Sequence, residues 1–230
     1  MGDGMKAELV KTPSLTRALL VCGAVAGPLF ILTVLVQDYT RPAFDPRLQQ
    51  LSLLSLGNWG WVQIANFVLA GVLNLLYAVG LWRRLHPGPA GTWGPLLIGA
   101  YGLGLISGGV FQDDPADGFP PGFVAPAHIS WHATLHDLSG ILIFVALTAA
   151  LAVFARRFSA ARERWWAFYG STTAALILVL FGLAGINSAV VAAGSLRLAT
   201  LLGWMAASVI AVKLLEDSGE PLTLGERTSE

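Results

Sequence analysis

Charge is what this chain of 230 residues has least of. Lys, Arg, Asp and Glu together make up 12%, about half the ~25% of an ordinary soluble domain. The 14 basic and 14 acidic residues cancel, so the basic excess by which proteins hold nucleic acid is missing. Cysteine occurs once, as Cys22 inside an apolar run. That excludes an internal disulfide, and the thiol reads as packing. Familiar catalytic signatures are also absent. There is no G-x-S-x-G nucleophile elbow, which leaves Ser52 and Ser55 as loop serines, and no Walker or G-x-G-x-x-G phosphate loop. No internal repeat of the kind used by secondary transporters is evident. A two-haem cytochrome would need axial histidines on two facing helices; here three fall in one predicted helix and His86 lies outside the spans.

What the chain has in abundance is apolar length. Hydrophobic residues make up 55%, the mean hydropathy is +0.65, and runs of the ~20 residues that cross a bilayer recur throughout. They predict an all-α membrane protein, a bundle of six transmembrane helices over residues 17–37, 59–82, 93–111, 127–154, 165–186 and 196–215. Residues 1–16 form an N-terminal tail, residues 17–215 the membrane domain, and residues 216–230 a polar, disordered tail. The first run is too long for a signal-peptide core and no small-residue cleavage site follows it, so it reads as an uncleaved span.

Orientation follows from the basic residues. Lys6, Lys11, Arg17, Arg83, Arg84, Arg156, Arg157, Arg162, Arg164, Lys213 and Arg227 fall on one side, against Arg41, Arg47 and Arg197 on the other. The expectation is a multi-pass protein of the plasma (cytoplasmic) membrane with both termini cytoplasmic. Tryptophans sort the same way, Trp59, Trp61 and Trp131 on the outer side and Trp82, Trp93, Trp165 and Trp166 on the inner. The outer rim is then built from residues 38–58, 112–126 and 187–195. The leucines of the first of these loops suggest a short helix lying in the interface.

Polar residues inside the spans carry the functional question. Gln63, Asn66, Asn74 and Tyr77 recur near a helical period and form a stripe that must face the bundle. Interhelical hydrogen bonding explains it adequately; the wall of a polar cavity is the sharper alternative. Ala100, Gly104 and Gly108 make a small-residue ridge for close helix approach, while Gly102 and Gly109 read as flexibility near the loop.

The densest chemistry lies between Phe111 and Gly140. A loop carrying Asp113, Asp114 and Asp117 leads into a helix that Pro126 should open. Four-residue spacing puts His128, His132 and His136 on one face, ~6 Å apart along the axis, with His136 and Asp137 inside the outer leaflet. His128 reads as an exposed loop-end residue, and His86, on the cytoplasmic side, as unrelated. Three chemistries fit. His132 and His136 can share a divalent metal, completed by Asp113 or Asp114; they can titrate as a proton relay; or the rim can bind a lipid headgroup or small molecule, with Arg41 and Arg197 as anion partners. The plainer alternative is that both histidines only bond Asp137 and the second-span amides. HxxxH lacks the glutamate of the zinc-protease motif. Arg197, at the start of the sixth span, is the expected ion-pair partner of the acidic loop.

Three blocks, RPAFDPRLQQLSLLSLGNWGWVQIANFVLAG, GLGLISGGVFQDDPADGFPPG and HATLHDLSG, resemble the signature blocks of domain of unknown function family 998, six-span prokaryotic membrane proteins. The resemblance implies that Arg41, Asp45, Ser55, Trp61, Asn66, Asp113, Asp114, His132 and His136 belong to the family pattern, mostly in the outer half of the bundle. It implies no activity. The sequence reading is therefore an outward polar His/Asp site rimmed by Arg41, Gln63, Asn66, Asp113, Asp114, Asp117, Asp137 and Arg197, for binding, sensing or accessory work at the outer leaflet. The alternative is a hydrolase-like metal enzyme on His132, His136 and an aspartate of the 113–117 loop, and the third reading is a small-solute transporter. The partners expected are the bilayer and a lipid or small molecule, with no nucleic acid.

Overall fold

The computed structural model describes residues 11–186 and 188–217. Six α-helices carry the fold: α1 Lys11–Thr40, α2 Gly60–Leu85, α3 Pro89–Val110, α4 Trp131–Ala160, α5 Arg164–Leu183 and α6 Ala189–Glu216. All six are long and apolar enough to cross a membrane, and no strand occurs among the described residues. The physical reason is direct: a bilayer core offers no water to the backbone, so an apolar run must close its N–H and C=O bonds within itself. The terminal tails expected from sequence fall largely outside the described residues.

Each helix packs on the next in chain order and α6 returns to α1, closing a ring, while α4 and α6 scarcely touch. Bonds between helix ends sort the ring into two poles. At one, Asp38 of α1 meets Arg197 of α6 and Gln37 meets Gln63 of α2. At the other, Arg83 donates to Thr16 and Lys213 bridges Glu163. The first is called here the histidine end and the second the arginine-rich end. Trp204 is the tryptophan at the centre of the core, stacked on Phe30 at 5.0 Å and edge-on to Tyr101 at 5.3 Å.

Four helix starts differ from the expectation: α1 and α3 begin earlier, at Lys11 and Pro89, and those of α4 and α6 bear on the site. α4 begins at Trp131, because Ser130 is the N-cap and its Oγ accepts from the Ala133 N–H at 3.2 Å. Pro126 and His128 therefore lie in the loop, and only His132 and His136 share the helix. α6 begins at Ala189, capped by Ser188 through the Val191 N–H at 3.4 Å. Arg197 consequently sits about two turns inside α6 rather than at its start.

Small residues set the closeness of the α1–α2–α3 side. A Cβ at Gly71 would lie 2.6 Å from the Gly102 carbonyl oxygen, and one at Gly23 would enter the Tyr77 ring. The expected ridge on α3 is present, with Gly104 against Ile143 of α4. Gly102 and Gly109 are corrected from flexible positions to close-packed ones, against Gly71 and Phe67 of α2. A short 3-10 helix, Leu51–Ser55, forms where the leucines suggested, but it is tucked into the bundle end with Leu53 and Leu54 buried, not laid along the interface.

α5 departs from this tight packing. Its buried residues are Gly170, Thr173, Ala174 and Ile177, in the middle of the helix. Beyond Ile177 it has no buried residue, which leaves a wedge between α4, α5 and α6 at the histidine end.

Candidate functional site

Two loops cap the histidine end as one layer. Gln112 donates to the Ser55 carbonyl at 3.0 Å, Gln49 to the Asp117 carbonyl at 2.9 Å, and Ser52 Oγ to Asp113 at 3.3 Å. Arg41 fastens the layer: its Nη2 donates to the carbonyls of Leu54 and Leu56, and its guanidinium lies 5.6 Å from the Phe119 ring centroid. Burial holds the Arg41 pKa below its ordinary value. Asp117 and Gly118 both have positive φ and close a tight turn between Ala116 and Phe119. Asp117 is thus a turn residue turned to solvent.

The histidines are oriented by backbone. His136 Nδ1 lies 3.0 Å from the Gly108 carbonyl oxygen and 2.8 Å from that of Phe111. Carbonyls only accept, so Nδ1 carries the proton, satisfies two carbonyls at the end of α3, and leaves Nε2 for a ligand. His132 Nδ1 lies 3.0 Å from the Gln112 carbonyl and 2.9 Å from Ser130 Oγ, which fixes the same tautomer. Asp114 accepts from the Ser130 N–H at 2.8 Å; that bond holds its carboxyl below the usual carboxylate range. Ser130 is thereby the joint between Asp114, His132 and the start of α4.

The wedge is a cavity of about 500 Å³, within the ~300–1,000 Å³ typical of small-molecule sites. Its floor is Phe30, Tyr101 and Trp204, and its walls include Phe144, Leu147 and Phe181. Its polar lining residues are Gln50, Ser52, His136, Asp137 and Thr200. Asp113, Asp114 and His136 are close enough to act electrostatically on the Asp137 carboxyl. No hydrogen bond or ion pair holds that carboxyl among the described residues.

The residues expected to form one site separate into three groups. His136 and Asp137 line the cavity, and Asp113 reaches it through Ser52. His132, Asp114 and Arg41 hold the loop layer. Gln63 and Asn66 lie in the α1–α2 seam, where Gln63 Oε1 accepts from Gln37 at 2.7 Å and Asn66 donates to the Phe30 carbonyl at 3.2 Å. The plainer reading of the stripe holds for these two, whereas Asn74 donates to the Ala70 carbonyl of its own helix and the buried Tyr77 hydroxyl has no partner among the described residues. Arg197 is corrected from a partner of the acidic loop to the partner of Asp38, at 2.5 Å, because closure of the ring brings α6 onto α1. Among the described residues no three His, Cys, Asp or Glu side chains gather as a metal-holding group. Asp113 and Asp114 are engaged by Ser52 and Ser130 instead of joining the histidines.

Sequence reasoning passed over Gln50 and Ser130, read Ser52 only as a loop serine, and gave no sign of the aromatic walls. Ser130 had a readable signal, a serine opening an apolar helix three residues before Ala133. The aromatic walls had none, since Phe144, Phe181 and Trp204 look like any core residues.

The model of a family described as a protein of unknown function (DUF998) matches residues 24–213. No curated protein and no solved structure matches the chain.

Proposed function

This chain belongs to the DUF998 family, and from that premise we propose that it is a non-catalytic binding protein whose ligand occupies the wedge at the histidine end. The observation that carries this reading is the cavity: its walls are apolar while its polar lining includes an unbonded carboxylate and an imidazole whose Nε2 is left over. In a spanning helix an ionisable carboxyl without a bonded partner, next to an imidazole, points to function before structure. The proposed setting is the plasma membrane, with both termini cytoplasmic and the cavity in the outer leaflet. The asymmetry of basic residues supports that orientation.

Two experiments test it. Protein extracted with its surrounding lipid is compared by native mass spectrometry with a Gly140→Leu variant. A Cβ at Gly140 meets nothing within 4 Å and the residue lines the cavity, so a leucine there adds bulk to the cavity with no clash at its Cβ. Wild type should carry a small molecule that the variant lacks, and equal content in both overturns the reading. For orientation, a cysteine at Gly122 should react with a membrane-impermeant maleimide in intact cells and one at Arg162 should not; the reverse pattern inverts the topology.

A further inference from the structure

Resting on that reading, we infer that the ligand is a single-chain amphiphile with a cationic, amine-type head, admitted sideways from the bilayer between α4, α5 and α6. Three observations lead there.

The first is the route. Past Ile177 no residue of α5 is buried. Ile141 of α4 and Gly182 and Gly185 near the end of α5 are exposed while also lining the cavity. In a membrane the surface that these residues expose is bathed in acyl chains, so the wedge communicates with the lipid. Glycines make the mouth: a Cβ at Gly140 or Gly182 would meet nothing within 4 Å.

The second is shape. Between Asp137 and Leu147, both lining residues, α4 rises ~15 Å at 1.5 Å per residue. That is a narrow compartment floored by aromatic rings, suited to one extended chain. A compact polar solute would leave the apolar walls unpaired.

The third is charge. The groups facing the polar end are Asp137 and His136 of α4, with Gln50 and Ser52 from the loop layer. Asp113 and Asp114 stand close behind. None of the three arginines of this end lines the cavity: Arg41 donates to the Leu54 and Leu56 carbonyls, Arg47 pairs with Asp45, and Arg197 pairs with Asp38. A phosphate or carboxylate head would meet carboxylates with no cation to receive it. An ammonium would give Asp137 the partner it lacks, and an ammonium–carboxylate hydrogen bond is among the stronger kinds.

The test uses the full chain in phosphatidylcholine nanodiscs with three probes of equal chain length: myristylamine, myristyl alcohol and myristate. Binding is the difference in uptake between wild type and Gly140→Leu, which removes simple partitioning. The amine is expected to bind at least about tenfold more tightly than the other two, the scale of one charge-assisted bond. Asp137→Asn should bring amine and alcohol level while leaving the alcohol unchanged. Equal affinity for all three, or preference for myristate, overturns the head-group assignment while the cavity reading stands. No difference between wild type and Gly140→Leu for any probe, repeated with Gly182→Leu, overturns both. Amine preference that survives Asp137→Asn removes that carboxylate from the role.

Discussion

The two sides of the ring use the same residue type to opposite ends. On the α1–α2–α3 side, glycines are where backbones meet: Gly71 faces the Gly102 carbonyl, Gly23 lies under the Tyr77 ring, and Gly109 takes Phe67. At the histidine end of the α4–α5–α6 side, Gly140 and Gly182 face open space. Polar residues divide in the same way. Gln63 and Asn66 are buried and bonded across the seam, whereas Asp137 looks into the wedge with no bonded partner. Where polar residues bond across helices and small residues let backbones meet they hold the bundle together; where they border a void they are free to meet something else.

The comparison can be broken most forcefully at its closure point. Asp38→Asn leaves Arg197 buried without its anion, and thermal unfolding in detergent should show a loss of about 3–5 kcal/mol. The double variant with Arg197→Gln should recover much of it. Gly71→Leu drives a side chain into α3 and should cost about 1–3 kcal/mol, seen as a lowered Tm and a broadened monomer peak in size-exclusion chromatography. Gln63→Leu strips the seam of one bond network and should cost about 0.6 kcal/mol per bond lost. Acid should also loosen the loop layer. The Asp114 carboxyl is held below its ordinary value of about 3.9, so the stability from its bond to Ser130 is complete above that value. It disappears as pH falls through the lowered one, which proteolysis within residues 111–130 would detect. Gly140→Leu should be the mildest, within about 0.5 kcal/mol of wild type, although it empties the cavity of ligand. A large loss of Tm there would mean that the wedge is not open.

Much of the site's composition could be read along the chain, and its grouping could not. The placing of His132 and His136 on one helix face followed from 3.6-residue periodicity. Their separation into a loop-holding histidine and a cavity-lining one depends on which carbonyls α3 ends with, since Gly108 and Phe111 receive one ring and Gln112 the other. Arg197 was assigned to the nearest acids in the expected loop order. Its partner lies 159 positions away, and only the meeting of the first and last helices brings it there.

By itself, the amino-acid sequence determined that there are six long apolar segments and that they are helical. Hydropathy and the backbone's need to satisfy itself in lipid are local requirements, answered within each run of residues. The tertiary structure alone decided which helix α5 leans on, and therefore that a void exists beside His136 and Asp137. A cavity belongs to no residue: it is the volume left where neighbouring helices fail to converge, and that depends on contacts among segments far apart in the chain.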